Sequence, residues 1–351
     1  MQLLASEIGS GTATLYFVGD AMQHGKQLEA ARTLGNGNYD YSDCFILLEP
    51  TIKAADYAVV NLEVPLGGPK GGYTGYPKFS APDSYAVALK DAGFDMLLTA
   101  NNHILDRSDN GLRRTLAVLD TLGVDFTGTY YDRNQRLEKS PVIKDINGIK
   151  FGFVNYTYGT NGIKAKKGAE VAYIKEPDMK REIEKAKELG AEMIVVCIHW
   201  GEEYEMMPNA AQKKTAQFLL DQGADLIIGS HPHVVQPMYV VDNPATGRKA
   251  LIAYSLGNFI SNQTGENSRG GASVLCTVER DENGVPQLID AEYDTFFTAK
   301  PYNSTTNYQV VPASMADRIP ENQKAEWNKF HNNSESLFTK ENIGVKRASE
   351  K

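Results

Sequence analysis

Aspartate, glutamate, asparagine and histidine recur in this chain at one kind of place, directly behind a short apolar run. Leu15–Gly19 leads into Asp20, Tyr57–Val60 into Asn61 and Glu63, and Met96–Ala100 into Asn101, Asn102 and His103. Met193–Ile198 ends at His199, and Leu226–Ser230 at His231-Pro232-His233. These residue types bind divalent cations and move protons. Drawn from positions as far apart as Asp20 and His233, they describe a metal site assembled by folding rather than one carried in a single short loop. Two carboxylates (Asp20, Glu63) beside three imidazoles suit one or two ions of Mn, Zn or Fe better than Ca, which prefers oxygen alone.

Spacing adds detail. Asn61 and Glu63 share a face while the strand persists, so the carboxylate can bridge two cations and the amide can orient it. Asn101, Asn102 and His103 are expensive to desolvate without partners. An amide oxygen on a metal, beside a histidine that protonates a leaving group, accounts for them. Asp106 is placed to accept the second ring N–H of His103, so the pair is the expected catalytic acid. In His231-Pro232-His233, strand alternation would send both rings the same way, with Pro232 stiffening their spacing. Asn61, Asn101, Glu203 and Asn258 are candidates for substrate contact. Lys70, Lys78 and Arg107, on glycine-rich or polar segments of the same edge, could meet carboxylates or phosphates.

The elements that must position these residues are legible as well. Apolar runs of this length, bounded by turn signals, read as strands buried on both faces, and α/β sheets bind ligands beyond the carboxyl ends of such strands. Helical spacing predicts helices over Ser84–Ala92, Gly111–Leu122 and Pro177–Leu189, and one from an N-cap at Asn209 to Asp221. From Leu251 the pattern turns β, with strands expected at Leu251–Tyr254, Ala272–Val278 and Leu288–Tyr293. The expected organisation is one α/β domain over residues 14–300. A C-terminal extension, 301–351, should carry a helix around Glu321–Phe330, with its last ten residues frayed.

A net charge of -8 argues against a nucleic-acid partner. A polyanionic partner would have to be met by a local cationic feature, and bound metal is one. No apolar run approaches the ~20 residues that span a bilayer. Met1–Ser6 lacks the basic and apolar regions of an export signal, which leaves the location open. No two cysteines form a CxxC pair, and Cys197 and Cys276 read as buried thiols inside strands. The glycine-rich loop Gly67–Pro77 lacks the GK[ST] ending of a nucleotide-binding loop.

The motifs Gly-Asp-x-Met, Asn-Leu-Glu, Ala-Asn-Asn-His-x-x-Asp, His-Trp-Gly-x-Glu-Tyr, His-Pro-His-Val and Tyr-Ser-Leu-Gly-Asn-Phe occur in that order over residues 14–262. Together they resemble the CapA family of capsule and poly-γ-glutamate biosynthesis proteins, which is similar to calcineurin-like metallophosphoesterases. The resemblance implies a four-layer α/β sandwich of two mixed β-sheets flanked by helices, and a two-metal centre. It places Asp20 and His233 on the first metal, Asn102, His199 and His231 on the second, Glu63 as the bridge and His103 as the acid. Met22 stands where that superfamily expects a histidine ligand, and His24 is off register. Three functions stay open: a hydrolase or transferase on an anionic envelope polymer, a phosphoesterase, or a non-catalytic polymer-binding subunit of a membrane synthase. The resemblance also implies a cell-envelope location.

Overall fold

The computed structural model describes residues 11–348, so Met1–Ser6 and the last three residues of the tail lie outside it. The chain begins with β1 (Thr12–Ala21), α1 (Gly25–Leu34), α2 (Glu49–Ala54), β2 (Tyr57–Leu62), α3 (Asp83–Asp91), β3 (Met96–Leu98), α4 (Ser108–Leu122) and β4 (Asp125–Thr127). This alternation lays β1 to β4 side by side in parallel. Next come β5 (Thr129–Tyr130), α5 (Arg133–Lys139), β6 (Val142–Ile146), β7 (Ile149–Thr157), β8 (Glu170–Val171) and α6 (Glu176–Glu188). They are followed by β9 (Met193–His199), α7 (Ala210–Asp221), β10 (Leu226–Ser230), β11 (Met238–Asn243) and β12 (Arg248–Ala253). A second sheet runs in the order β11-β12-β10-β9-β7-β6, parallel in its middle and antiparallel at both edges. The chain then returns to the first sheet through β13 (Asn258–Ile260), β14 (Gly270–Arg280), β15 (Pro286–Ala299) and β16 (Gln309–Pro312), before α8 (Lys324–Glu341) and β17 (Lys346–Arg347).

Side-chain alternation explains the stacking. Along β1, Leu15 and Phe17 face Phe153, Val195 and Val274 in the core between the two sheets. Tyr16 and Val18 point the other way, into a core with Leu48, Ile52 and Leu89 beneath α2 and α3. The outer face of the second sheet, including Val154 and Val196, packs on Met179 and Ile183 of α6 and on Ala216 and Leu219 of α7. Helices, sheet, sheet, helices: four layers, with both sheets mixed. Strands buried on both faces need near-continuous apolar sequence, which is what the runs supplied.

The expected helices form, and Asn209 caps α7 through reciprocal bonds with Gln212. The C-terminus differs from expectation. Its helix continues to Glu341, because Trp327, Phe330, Ser334 and Phe338 keep one buried face. The tail is not frayed as far as it is described: Val345 is buried, and Lys346–Arg347 pairs with β15. All three cysteines are free and buried. Among the described residues, no helix is long and apolar enough to cross a membrane.

Candidate metal centre

β12 lies in the second sheet and β13 in the first, so Tyr254–Gly257 must cross between them at the strand ends. The crossover presses on two glycines. A Cβ at Gly19 would lie 1.9 Å from the Gly257 oxygen, and one at Gly229 would lie 2.0 Å from the Tyr254 oxygen. Any side chain at either position would push the crossover away. Asp20 follows the first glycine, and His231 lies two residues beyond the second. The Asp20 N–H donates to the Gly257 oxygen at 3.0 Å, and the His231 N–H to Asp20 Oδ2 at 3.1 Å. The two sheets are thus stitched together at the point where their polar strand ends meet.

His199 Nε2 lies 3.4 Å from Glu63 Oε1 and 3.0 Å from Asn102 Oδ1, and its Nδ1 is 2.8 Å from Ser230 Oγ. His233 Nδ1 is 3.4 Å from Asp20 Oδ2 and 3.0 Å from Asn258 Oδ1, with its Nε2 3.9 Å from Glu63 Oε1. Asn61 Nδ2 donates to Asp20 Oδ1 at 2.7 Å. Asp20, Glu63 and His233 form one set whose ligand atoms lie within 4.8 Å of one another, and Glu63, His199 and His231 form another. Glu63 belongs to both.

The electrostatics are those of a cation site. Burial, then the Asp20 charge, pushes the Glu63 carboxyl well above the usual range. At Asp20 burial acts the same way, but the bond from His233 and the charges of His199 and His233 outweigh it and hold the group low. Burial, then His231, drives His199 far below the usual histidine value, against the pull of Asp20. Burial, then His233, brings His231 down to about 3. Both Glu63 oxygens and His231 Nδ1 are buried with no hydrogen-bond partner. Buried polar groups are nearly always paired, and an orphaned carboxylate is among the costliest exceptions. Neutral imidazoles and carboxylates around an unpaired glutamate are the donor set that divalent transition metals take. The residues present fit such an ion.

Beside this centre, His103 Nδ1 lies 2.8 Å from Asp106 Oδ2, which also accepts the Phe79 N–H. Its ring packs edge-on to Phe79 at 4.6 Å. His24, His103, Glu203, Tyr204 and His233 line a cleft of about 460 Å³ that opens to solvent. Burial lowers His24 to about 4.

Several expectations need correction. His231-Pro232-His233 is not a strand: β10 stops at Ser230, and His231 and His233 take φ of 101° and 59°. The rings are aimed inward by a bend rather than by alternation, and a non-glycine residue held in this region costs roughly 1–3 kcal/mol. Asn61, Asn101 and Asn258 are buried and bonded within the protein, so they position neighbours instead of facing a substrate. Asn101 Nδ2 donates to the Leu62 oxygen at 2.8 Å, and Asn258 Nδ2 to the Ser268 oxygen at 2.9 Å. Arg107 is spent on the loop between β2 and α3, donating to the Phe79 oxygen at 3.2 Å and to Thr74 Oγ1. Lys70 is exposed in a turn at Pro69–Gly71 and does not line the cleft, nor does Lys78. Glu203 does line it. Sequence reasoning missed Tyr158, which follows β7 and lies 4.5 Å from His231, ring to ring. Burial, then Glu63, raises its hydroxyl to about 12. The available signal was its place, one residue past the end of a strand.

The family described as "Bacterial capsule synthesis protein PGA_cap" matches residues 14–263. The capsule biosynthesis protein CapA of Bacillus anthracis is 32% identical over 74% of this chain and 62% of its own length. The PGA biosynthesis protein CapA of Bacillus subtilis is 30% identical over 76% of this chain and 68% of its own. The match thus spans less than two thirds of the first of these relatives. Among solved structures, the NAD nucleotidase NadN of Haemophilus influenzae aligns with 96% of this chain and 57% of its own, at 11% identity and a TM-score of 0.49. The family match covers well over half of the sequence and takes in every strand end at the centre; the chain belongs to the bacterial capsule synthesis protein family.

Proposed function

We propose that this chain is a metal-dependent hydrolase or transferase acting on an anionic polymer of the cell envelope, with poly-γ-glutamate, the polymer of the resembled family, as the first candidate. The observation that supports this most is Glu63, fully buried, unpartnered, and common to two ligand sets. Asp20, Glu63 and His233 would hold one divalent cation, and Glu63, Asn102, His199 and His231 a second. Cations held there would supply Lewis-acid polarisation of a substrate oxygen and a more acidic water near neutral pH. The chain's own part is to fix the ligands, exclude bulk water beneath Glu63, and deliver a proton. His103 Nε2 would donate that proton to the leaving atom while Asp106 holds Nδ1.

One observation favours a second reading, hydrolysis of a small phosphate ester by the same centre. The cleft has room for one compact group, and no lysine or arginine lines it among the described residues. An anion would be met by the cations alone. The test is a screen of metal-supplemented protein against chromogenic phosphoesters and γ-glutamyl polymer. Polymer cleavage or transfer supports the first reading, and turnover of phosphoesters alone supports the second. Tight polymer binding without turnover overturns both and makes the chain a binding subunit for a membrane synthase. Envelope location follows from the same reading, and cytosolic fractionation of the native gene product would contradict it.

A further inference from the structure

We infer that Glu203 is a metal ligand that completes the first cation position from the solvent side. This rests on the two-cation reading above and assigns it a donor. On that reading the two positions are unequal: Glu63, His199 and His231, with Asn102 Oδ1 3.0 Å from His199 Nε2, would give the second four protein donors, whereas Asp20, Glu63 and His233 would give the first three. Met22, buried to 2% exposure, lines the same cleft as His233, and its soft thioether is a poor donor to a cation that takes carboxylate and imidazole. Glu203 shares that cleft. Its carboxylate and one ring nitrogen each of His231 and His233 lie within 4.8 Å of one another. His231, whose Nδ1 is buried and unpartnered, belongs to this set. Tyr204 fixes the segment in place, since its N–H donates to the Pro232 oxygen at 2.8 Å, between the two histidines. Glu63 thus closes the centre from the protein interior and Glu203 from the cleft. A third carboxylate also trims the surplus positive charge that two divalent cations leave against Asp20 and Glu63.

The test is calorimetric titration of the full chain with Mn²⁺, after chelator treatment, for wild type, Glu203→Ala, Glu202→Ala and Glu203→Ala with Met22→His. Glu203 is exposed, so its variants should melt like wild type before metal is added. Wild type should take up two equivalents. Glu203→Ala should weaken one of them by at least ~10-fold, the scale on which even outer-shell changes act. Glu202→Ala should change neither, and Met22→His should restore the weakened site by offering a donor from the same cleft. Unaltered affinity in Glu203→Ala, or equal weakening of both equivalents, overturns the assignment while leaving the two-cation reading in place. Wild type that binds no metal overturns the reading and the assignment together.

Discussion

Glu63 and Glu182 are both buried, at 0% and 4% exposure, and their surroundings could hardly differ more. Glu182 on α6 accepts from Arg136 Nε at 2.8 Å through one oxygen, and from Tyr156 and Ser140 at 2.9 and 3.0 Å through the other. Arg136 also donates to Glu170 at 3.0 Å. Glu63 has no donor on either oxygen. The chain supplies a buried counter-charge to Glu182 and leaves Glu63 without one. A buried carboxylate satisfied by its own protein is architecture; one left open is what a bound cation would complete, on the reading proposed above.

His103 tests where the open region ends, because it lines the same cleft as His233 yet has Asp106 on Nδ1. His103→Asn should lower turnover by ~10²–10⁴-fold in whichever reaction the screen identifies, with metal content unchanged. Loss of metal along with rate would move His103 into the ligand set, and an unchanged rate would remove it from the chemistry.

Glu182→Ala should destabilise the fold by about 3–5 kcal/mol in denaturant unfolding, since it strands Arg136 in the interior. Metal content of the folded fraction should stay at the wild-type level. A loss of metal at this distance would show that the two clusters are coupled, and the contrast between them would fail.

Asp109 is a smaller case of self-satisfaction. Its carboxylate accepts the N–H groups of Lys166 and Lys167 at 2.9 and 2.7 Å. Burial raises the group, but these backbone bonds prevail and hold it below the usual carboxylate range. A lowered folded pKa means that the stabilisation is complete above the unfolded value of about 4 and is lost as pH falls through the folded value. Asp109→Asn should cost about 1–3 kcal/mol at neutral pH. It should also flatten the decline in stability below about pH 4, as measured by urea unfolding at a series of pH values.

Much of this was legible before the structure because parallel strands buried on both faces write themselves as apolar runs, and the polar residue after each run marks the sheet edge. That logic located Asp20, Glu63, Asn102, His199, His231 and His233. It could not foresee that His231 and His233 sit in a strained bend, since a positive φ at a non-glycine residue leaves no periodic trace. It sent Arg107 toward the substrate because a sequence shows the charge but not the carbonyl oxygens nearby that consume it. Asn61, Asn101 and Asn258 were found at the edge but misread in role, as their amides turn inward to Asp20, Leu62 and Ser268. Tyr158 was passed over because β7 ends in Asn155-Tyr156-Thr157, polar enough to hide where its apolar run stops.

The most direct test of the contrast is thermal unfolding of wild type and Glu63→Gln with and without Mn²⁺ or Zn²⁺. Without metal, Glu63→Gln should be at least as stable as wild type, because it removes a buried carboxyl that has no hydrogen-bond partner and lies against Asp20. On adding metal, the wild-type midpoint should climb with concentration, as it must when a ligand binds the native state, and the midpoint of Glu63→Gln should stay where it was. A Glu63→Gln protein that melts lower without metal and gains as much from metal as wild type would contradict the account, because Glu63 would then be architecture like Glu182.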